Sequence, residues 1–378
     1  MGRDVRSLVV DNAAIEDGGV RAKVRLGAET MWSSRAASML RRRLAKEPAD
    51  IVHFHNTFPL LSPSVHVAAC SAGAAVVQTI HNFRPTCPAA TLYRDGGLCH
   101  DCVGKAVAWP AVVHGCYRDS PIRTIPVAGM LAMQRFRHSW ESVHAIVALT
   151  EFAAAELVAG GLPADRMHVK GNFVESVGGP KEGPGEAFLY VGRLTPEKGI
   201  DTIVEAVASL PEGIALRIAG DGPSEPSVTV LAERTNVTAL GRIAPAEVRS
   251  ELSRARALVF PSRWYEGMPI VILEAFATGV PVIAARIGAA AELVRDGETG
   301  ITFEPGDADG LARAIIWAHA HPDEMAALGR AARRTYEARY TPDANYGTLV
   351  AIHDAALGRA RSRLGASAAP PVTSGRQP

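Results

Sequence analysis

The feature that most constrains this chain is the alternation, along almost its whole length, of short β-branched runs with longer stretches of helical periodicity. Alternation of that kind marks βαβ units, whose helices cover both faces of a parallel sheet, so the expected class is α/β. In the first half, strands are predicted at Ser7–Val10, Ile51–His55, Val76–Ile80, Ala145–Leu149 and His168–Val169, with helices near Thr30–Ala45, Ser62–Ala72 and Glu151–Ala159. The pattern is incomplete between Asn82 and Ser142. The second half is more regular. Strands at Phe188–Val191, Ala215–Ala219, Val237–Ala239, Ala257–Phe260, Val282–Ala284 and Ile301–Phe303 alternate with helices, Ile270–Thr278 among them, as in a doubly wound sheet.

A chain of 378 residues exceeds the roughly 100 to 200 residues of one domain. The break falls where Glu175–Gly185 turns rich in Gly and Pro and poor in core residues. The expected organisation is an N-terminal domain over 1–174 with a Cys-containing insertion at 82–142, a linker at 175–186 and a C-terminal domain over 187–342. A helix over 343–364 is expected to pack back towards the first domain, ahead of a disordered tail over 365–378. Net charge is +1 at pH 7, which excludes a global electrostatic drive towards nucleic acid. The cluster Arg41-Arg42-Arg43 reads as a solvated helix end. The N-terminus does not read as a secretory signal, and the most apolar stretch, Met268–Leu293, is interrupted by Glu274, Gly279, Pro281 and Arg286. A cytoplasmic location is expected, with peripheral contact at the inner membrane face left open.

Two segments carry chemistry. Tyr190-Val191-Gly192-Arg193-Leu194-Thr195-Pro196-Glu197-Lys198-Gly199 follows a strand and opens a helix, so Gly192 and the helix N-terminus can turn amides towards an anion while Arg193 and Lys198 supply cations. An ordinary strand-to-helix loop with surface cations would read the same way. In Ser262 through Ala275, Glu266 precedes a helix opened by Pro269, placing Glu266 with the Gly267 and Met268 amides at its mouth, and Glu274 rides on it. Carboxylates accept hydrogen bonds from vicinal hydroxyls, which suits a sugar near Glu266 and a ribose near Glu274. A glutamate between Leu273 and Ala275 is costly to bury unless it binds something.

These residues resemble glycosyltransferase family 4, whose members are retaining enzymes with the GT-B fold of two Rossmann-like domains facing a cleft. The resemblance covers nearly the whole chain. It is carried by Gly192-Arg193-Leu194 with Lys198-Gly199, Ala219-Gly220-Asp221-Gly222-Pro223, Leu240-Gly241-Arg242-Ile243, and Pro261-Ser262 through Glu266-Gly267-Met268-Pro269 to Leu273-Glu274-Ala275. Ala277-Thr278-Gly279-Val280-Pro281-Val282 and Asp296-Gly297-Glu298-Thr299-Gly300 complete it. The resemblance implies that Arg193 and Lys198 hold the diphosphate of a UDP- or GDP-sugar, Glu266 the sugar hydroxyls and Glu274 the ribose, with Gly241, Arg242 and Ile243 bordering the base. It also implies transfer without a catalytic metal or other cofactor, the two cations doing the leaving-group work.

In the first domain, Val77-Gln78-Thr79-Ile80-His81-Asn82 puts a histidine at the C-terminal end of a parallel strand, where open α/β sheets place ligand-binding residues. His81 resembles the family histidine that contacts the donor sugar, although many members have Asp where this chain has Asn82. His53 and His55, one strand earlier, are weaker candidates. Cys87, Cys99, Cys102 and Cys116 fall in the insertion; they read as free thiols, or as ligands of a structural zinc with His100 and His114 in reserve. A family member normally opens with a strand, a glycine-rich loop and a helix ahead of the strand that Ser7–Val10 resembles, so the N-terminal domain is expected to lack its first βα unit. Either the start lies upstream of Met1, or the copy is shortened. The expected function is retaining transfer of a sugar to a glycan, lipid-linked or small-molecule acceptor. The rivals are a nucleotide-sugar-binding protein of little or no activity, and another GT-B enzyme such as an epimerase.

Overall fold

The structure, a computed structural model, describes residues 4–12, 19–175, 183–233 and 236–368, with side chains described as far as residue 363. Helices α1 (Val20–Met31) and α2 (Ser34–Lys46) lead into β1 (Ile51–Phe54), α3 (Ser64–Ser71) and β2 (Ala75–Thr79). The insertion holds a two-stranded ribbon, β3 (Tyr93–Arg94) with β4 (Gly97–Leu98), followed by α4 (Trp109–Val113) and α5 (Pro121–Phe136). Strand β5 (Ala145–Ala148), helix α6 (Glu151–Ala159) and strand β6 (Met167–Val169) complete the half. Its sheet is parallel, in the order β1-β2-β5-β6.

The second half runs through β7 (Ala187–Val191), α7 (Ile200–Val207), β8 (Leu216–Ala219), α8 (Glu225–Ala232), β9 (Val237–Gly241), α9 (Pro245–Arg254), β10 (Ala255–Phe260), α10 (Ile270–Thr278), β11 (Val282–Ala285), α11 (Gly288–Leu293) and β12 (Gly300–Phe303). Helices α12 (Ala308–Ala320), α13 (Pro322–Arg339) and α14 (Pro342–Ala368) follow. The six strands are parallel in the order β9-β8-β7-β10-β11-β12, the doubly wound arrangement in which the chain reverses direction across the sheet between β7 and β10. Strand periodicity builds a core on each face. Phe188 and Tyr190 of β7 join Ile218, Val259 and Ile283 on one side, while Leu189 joins Leu258, Val282 and Ala284 on the other.

Helix α14 belongs to the first domain by packing. Ile352 and Ala356 bury against Ala75 and Val77 of β2 and Ala145 and Val147 of β5, and Arg359 bonds Asp165 at 2.7 Å. The helix continues through Ala368, past the predicted start of the tail at 365; residues 369–378 and the linker residues 176–182 lie outside the described residues.

Two expectations are corrected. Ser7–Val10 is not a strand: its largely exposed backbone has no sheet neighbour, and an extended run without a ladder is not held as one. The single helix predicted over Thr30–Ala45 is two helices. Trp32 is extended, and the Ser33 side chain accepts from the Ala36 amide at 3.1 Å, starting a new helix.

Ile352→Ala should cost about 2 to 5 kcal/mol, because it opens a cavity at the seam between α14 and the first sheet. Urea unfolding reads the cost, and hydrogen exchange should show the protection loss centred on β2 and β5. Stability should also fall with acid. Burial pushes His53 down to about 3 and His66 and His144 down to about 4, against 6.5 for the free side chain. The native state therefore binds fewer protons than the unfolded chain, so these histidines contribute stability that is full above pH 6.5 and lost as the pH falls towards their native values. The urea midpoint should accordingly be lower at about pH 5 than at about pH 7.5.

Candidate functional site

The loops leaving the C-terminal ends of β7 and β10 meet over the switch point and enclose a cavity of about 220 Å³. Tyr190, Val191 and Gly192 form one wall, Phe260, Pro261 and Ser262 another, and Met268 to Val271 at the start of α10 a third; Lys198 and Glu266 supply the charge. Glycines allow the loops to approach this closely. A Cβ on Gly220, whose φ is +152°, would collide with the Gly192 carbonyl oxygen, and one on Gly199 with that of Pro261. The turn Pro196–Lys198 is thereby drawn against the β10 loop, where the Arg263 amide donates to the Glu197 carbonyl at 2.9 Å.

Lys198 Nζ donates to Glu266 Oε1, which also accepts from Trp264 Nε1 at 3.0 Å and Ser262 Oγ at 3.4 Å. The two side chains are 18% and 15% exposed, and a pair so far withdrawn from water is tolerated because the indole and hydroxyl complete the carboxylate's bonding. No side chain caps α10. Its first-turn residues Ile270 and Val271 line the cavity, so amides and the positive end of the helix dipole face it beside Lys198. Burial, then the charge of Glu266, pushes the Tyr190 phenol well up, and its hydroxyl donates to the Arg193 carbonyl at 2.8 Å. The arrangement can hold an anion with hydroxyls next to it.

Gly192, Lys198, Glu266, Met268 and Pro269 thus share one cavity. Its wall does not include the other predicted donor residues. Arg193 is 62% exposed and 3.7 Å from Glu197; Arg242 is 82% exposed and 3.8 Å from Asp221. Gly220 and Gly241 pair through an amide-to-carbonyl bond of 2.8 Å, with Ile243 two residues beyond Gly241. Glu274 lies one turn along α10, half-buried, where burial pushes its carboxyl up and Arg249 only partly offsets this. The anion-facing amide expected at Gly192 is corrected: that N–H donates to Ala219 at 3.0 Å, inside the sheet. The first turn of α10 takes its place, and Pro269 at the helix entrance was the available signal.

The first domain reaches this site through Gly267, where a Cβ would lie 2.5 Å from the His81 carbonyl oxygen. Tyr265 enters an aromatic cluster with Phe83, Phe152 and His100, and the Asn172 amide meets Met268 Sδ at 3.0 Å. His81 Nε2 is 3.0 Å from His55 Nδ1, a partnership that neither residue announces alone. The four insertion cysteines are free thiols. Among the described residues no group of three or more His, Cys, Asp or Glu side chains is arranged to hold a metal. Burial pushes Cys102 up to about 11, and the charges of Cys87, Cys116 and Cys99 push it the same way, so the four thiols lie within reach of one another.

A family model described as Glycosyltransferase Family 4 matches residues 11–176, and one described as Glycosyl transferases group 1 matches residues 176–335. Over 180 residues the chain is 37% identical to the glycogen synthase of Mycobacterium tuberculosis (strain ATCC 25618 / H37Rv), covering 45% of this chain and 41% of that protein. Over 168 residues it is 34% identical to the same organism's GDP-mannose-dependent alpha-(1-6)-phosphatidylinositol monomannoside mannosyltransferase, covering 41% of this chain and 44% of the relative. The chain thus spans less than half the length of each of these two relatives. Among solved structures, HepE of Anabaena in complex with UDP superposes with a TM-score of 0.61 over 87% of this chain and 82% of that one, at 17% identity, a likeness of fold. With its two halves matched in order and each built on a parallel sheet, the chain belongs to glycosyltransferase family 4 and has the GT-B fold.

Proposed function

We propose that the chain transfers a sugar, with retention at the anomeric carbon, from a UDP- or GDP-linked donor to an acceptor held mainly by the first domain. The observation that carries this reading is the convergence of Lys198, the uncapped start of α10 and Glu266 in one cavity at the switch point. The diphosphate lies against Lys198 and the α10 amides, with Arg193 free to add a second cation from the rim. Sugar hydroxyls take Glu266 and His81, the ribose takes Glu274, and the base borders Gly241, Arg242 and Ile243. Positive charge at the diphosphate stabilises the departing phosphate oxygens, so no cofactor is required. The relatives support both nucleotides, since one is a GDP-mannose-dependent mannosyltransferase and HepE was solved with UDP.

A glycan or lipid-linked acceptor suits the insertion. Trp109, Val113, Ile122 and Ile125 are exposed on the packed pair α4 and α5, among exposed Lys105, Arg118 and Arg123. Apolar anchors with these cations beside them, which exposed Asp101 and Asp119 offset in part, favour peripheral contact with an anionic bilayer on the cytoplasmic side. Among the described residues no helix is long and apolar enough to cross a membrane.

The wild type should release nucleoside diphosphate from a UDP- or GDP-sugar, and Lys198→Ala should lower kcat about 10² to 10³-fold, the usual cost of removing a group that meets developing negative charge. An undiminished rate in Lys198→Ala overturns the donor-site assignment. Glu274→Gln should separate stability from binding. Its native carboxyl value lies above the unfolded 4.5, so ionised Glu274 subtracts from stability once the pH rises through that native value. The variant should melt above the wild type at about pH 7.5, with the gap closing below about pH 4.5. It should also bind nucleotide about tenfold more weakly by calorimetry, since one charged acceptor is lost.

A further inference from the structure

The ends of β1 and β2 carry a run of histidines, of which the donor reading uses only His81. His53 pairs across the strands with Thr79, Nε2 to Oγ1 at 2.8 Å, and His55 with His81 one step further along, Nδ1 to Nε2 at 3.0 Å. The rings form a ladder. His53 and His55 are stacked with centroids 4.6 Å apart, and His55 and His81 with centroids 5.3 Å apart. His353 of α14 meets the buried end edge-on at 5.2 Å, its Nε2 3.2 Å from His53 Nδ1. Lys170, bonded to Asn345 Oδ1 at 2.9 Å and to the Gly171 carbonyl at 3.0 Å, is the cation whose field reaches all three strand-end rings. The open end, His81, lies against Gly267 of the donor loop.

We propose that His55 is a positioning residue for His81: by holding Nε2 it fixes the rotation of the ring and couples the tautomer presented to the donor sugar to its own, with His53 and His353 as its backing. This rests on the reading that His81 meets the donor. A neutral imidazole donates from one nitrogen and accepts at the other, so the bond at Nε2 ties the role that His81 Nδ1 plays towards a hydroxyl to the tautomer of His55. A ring turned by 180° would put carbons where its two nitrogens stand and lose the bond. Burial, then His55 and Lys170, hold His81 below the ordinary histidine value and keep it uncharged near neutral pH. An uncharged ring adds no repulsion beside an anomeric carbon that gains positive charge as the diphosphate leaves.

Two substitutions isolate the bond. His55→Asn keeps a polar atom where Nδ1 stands, whereas His55→Phe keeps the ring and the stack but removes the partner. With a nucleotide sugar that the wild type turns over, His55→Phe should lower kcat about tenfold or more while the donor KM stays within about threefold, and His55→Asn should recover most of the loss. Ring ¹⁵N spectra of the full chain labelled at histidine, with His81→Gln to assign the signal, provide a readout independent of turnover. His81 should show one neutral tautomer in the wild type and His55→Asn, and a mixture of tautomers that titrates closer to the ordinary range in His55→Phe. An unchanged His81 spectrum in His55→Phe, or equal losses in the two variants, overturns the proposal. A wild type that turns over no nucleotide sugar overturns the donor reading instead, and the spectra still decide the role of His55.

Discussion

The approach of Gly267 to the His81 carbonyl is the contact on which the rest of the site depends. It is where the donor loop of the second domain touches the end of a strand in the first, and there is no room between them for even a methyl group. Every larger residue at position 267 would push the sheets apart and carry the loop that holds Glu266 away from the end of β2, where His81 is exposed. Tyr265, two residues earlier, reinforces the seam by burying its ring among Phe83, Phe152 and His100 of the first domain. The two sheets are thus registered by a backbone contact and an aromatic anchor in the loop that carries Glu266, together with the Glu292 carboxylate of α11, which accepts from the Glu151 and Phe152 amides at the start of α6 at 3.1 and 2.9 Å.

The electrostatics of the site follow from what it must admit. Lys198 and the positive end of α10 would repel each other's charge across a small cavity were Glu266 not present to neutralise the lysine. The same carboxylate is then available to hydroxyls on its far side. Glu274 has no comparable partner: Arg249 offsets only part of its burial cost. In the ribose role proposed for it, hydroxyls that supply hydrogen bonds would relieve part of the penalty that burial places on this carboxylate.

Much of this was legible in the sequence because local signals and tertiary demand agreed. The apolar runs of β2, β5, β7, β10 and β11 are buried on both faces, and α10 begins after Pro269 and ends at Gly279, whose φ is +72°, with both boundaries written in residue type. Helix α5 was illegible for the opposite reason. Pro126 and Gly129 both argue against a helix interior, yet Pro126 packs on Gly27 of α1, and a Cβ at Gly129 would lie 2.5 Å from Met31 Sδ. The breakers are there for the neighbouring helix, which no local pattern can report. Likewise the charge of Lys198 and Glu266 pointed to their site, whereas Gly192 was misread, since a glycine that permits close approach looks the same in sequence as one that offers an amide. His-x-His at a strand end is equally silent about its partner on the next strand.

The two chain crossings between the domains explain why the C-terminal helix matters to chemistry far from its own end. The segment leaving the first domain and the segment returning to it lie side by side: the Val174 amide donates to the Tyr340 carbonyl at 3.3 Å, and the Tyr336 hydroxyl donates to the Val174 carbonyl at 2.9 Å. Beyond that double crossing, α14 is fastened to the first sheet, and it carries Asn345 to Lys170 and His353 to His53. The returning helix therefore moves with the first domain, and the backing of the histidine ladder stays intact however the second domain moves about the crossing. A change of domain angle would alter instead the contacts that second-domain residues make with the first: Gly267 at His81, Tyr265 among Phe83, Phe152 and His100, Met268 at the Asn172 amide, and the Glu292 carboxylate at the Glu151 and Phe152 amides.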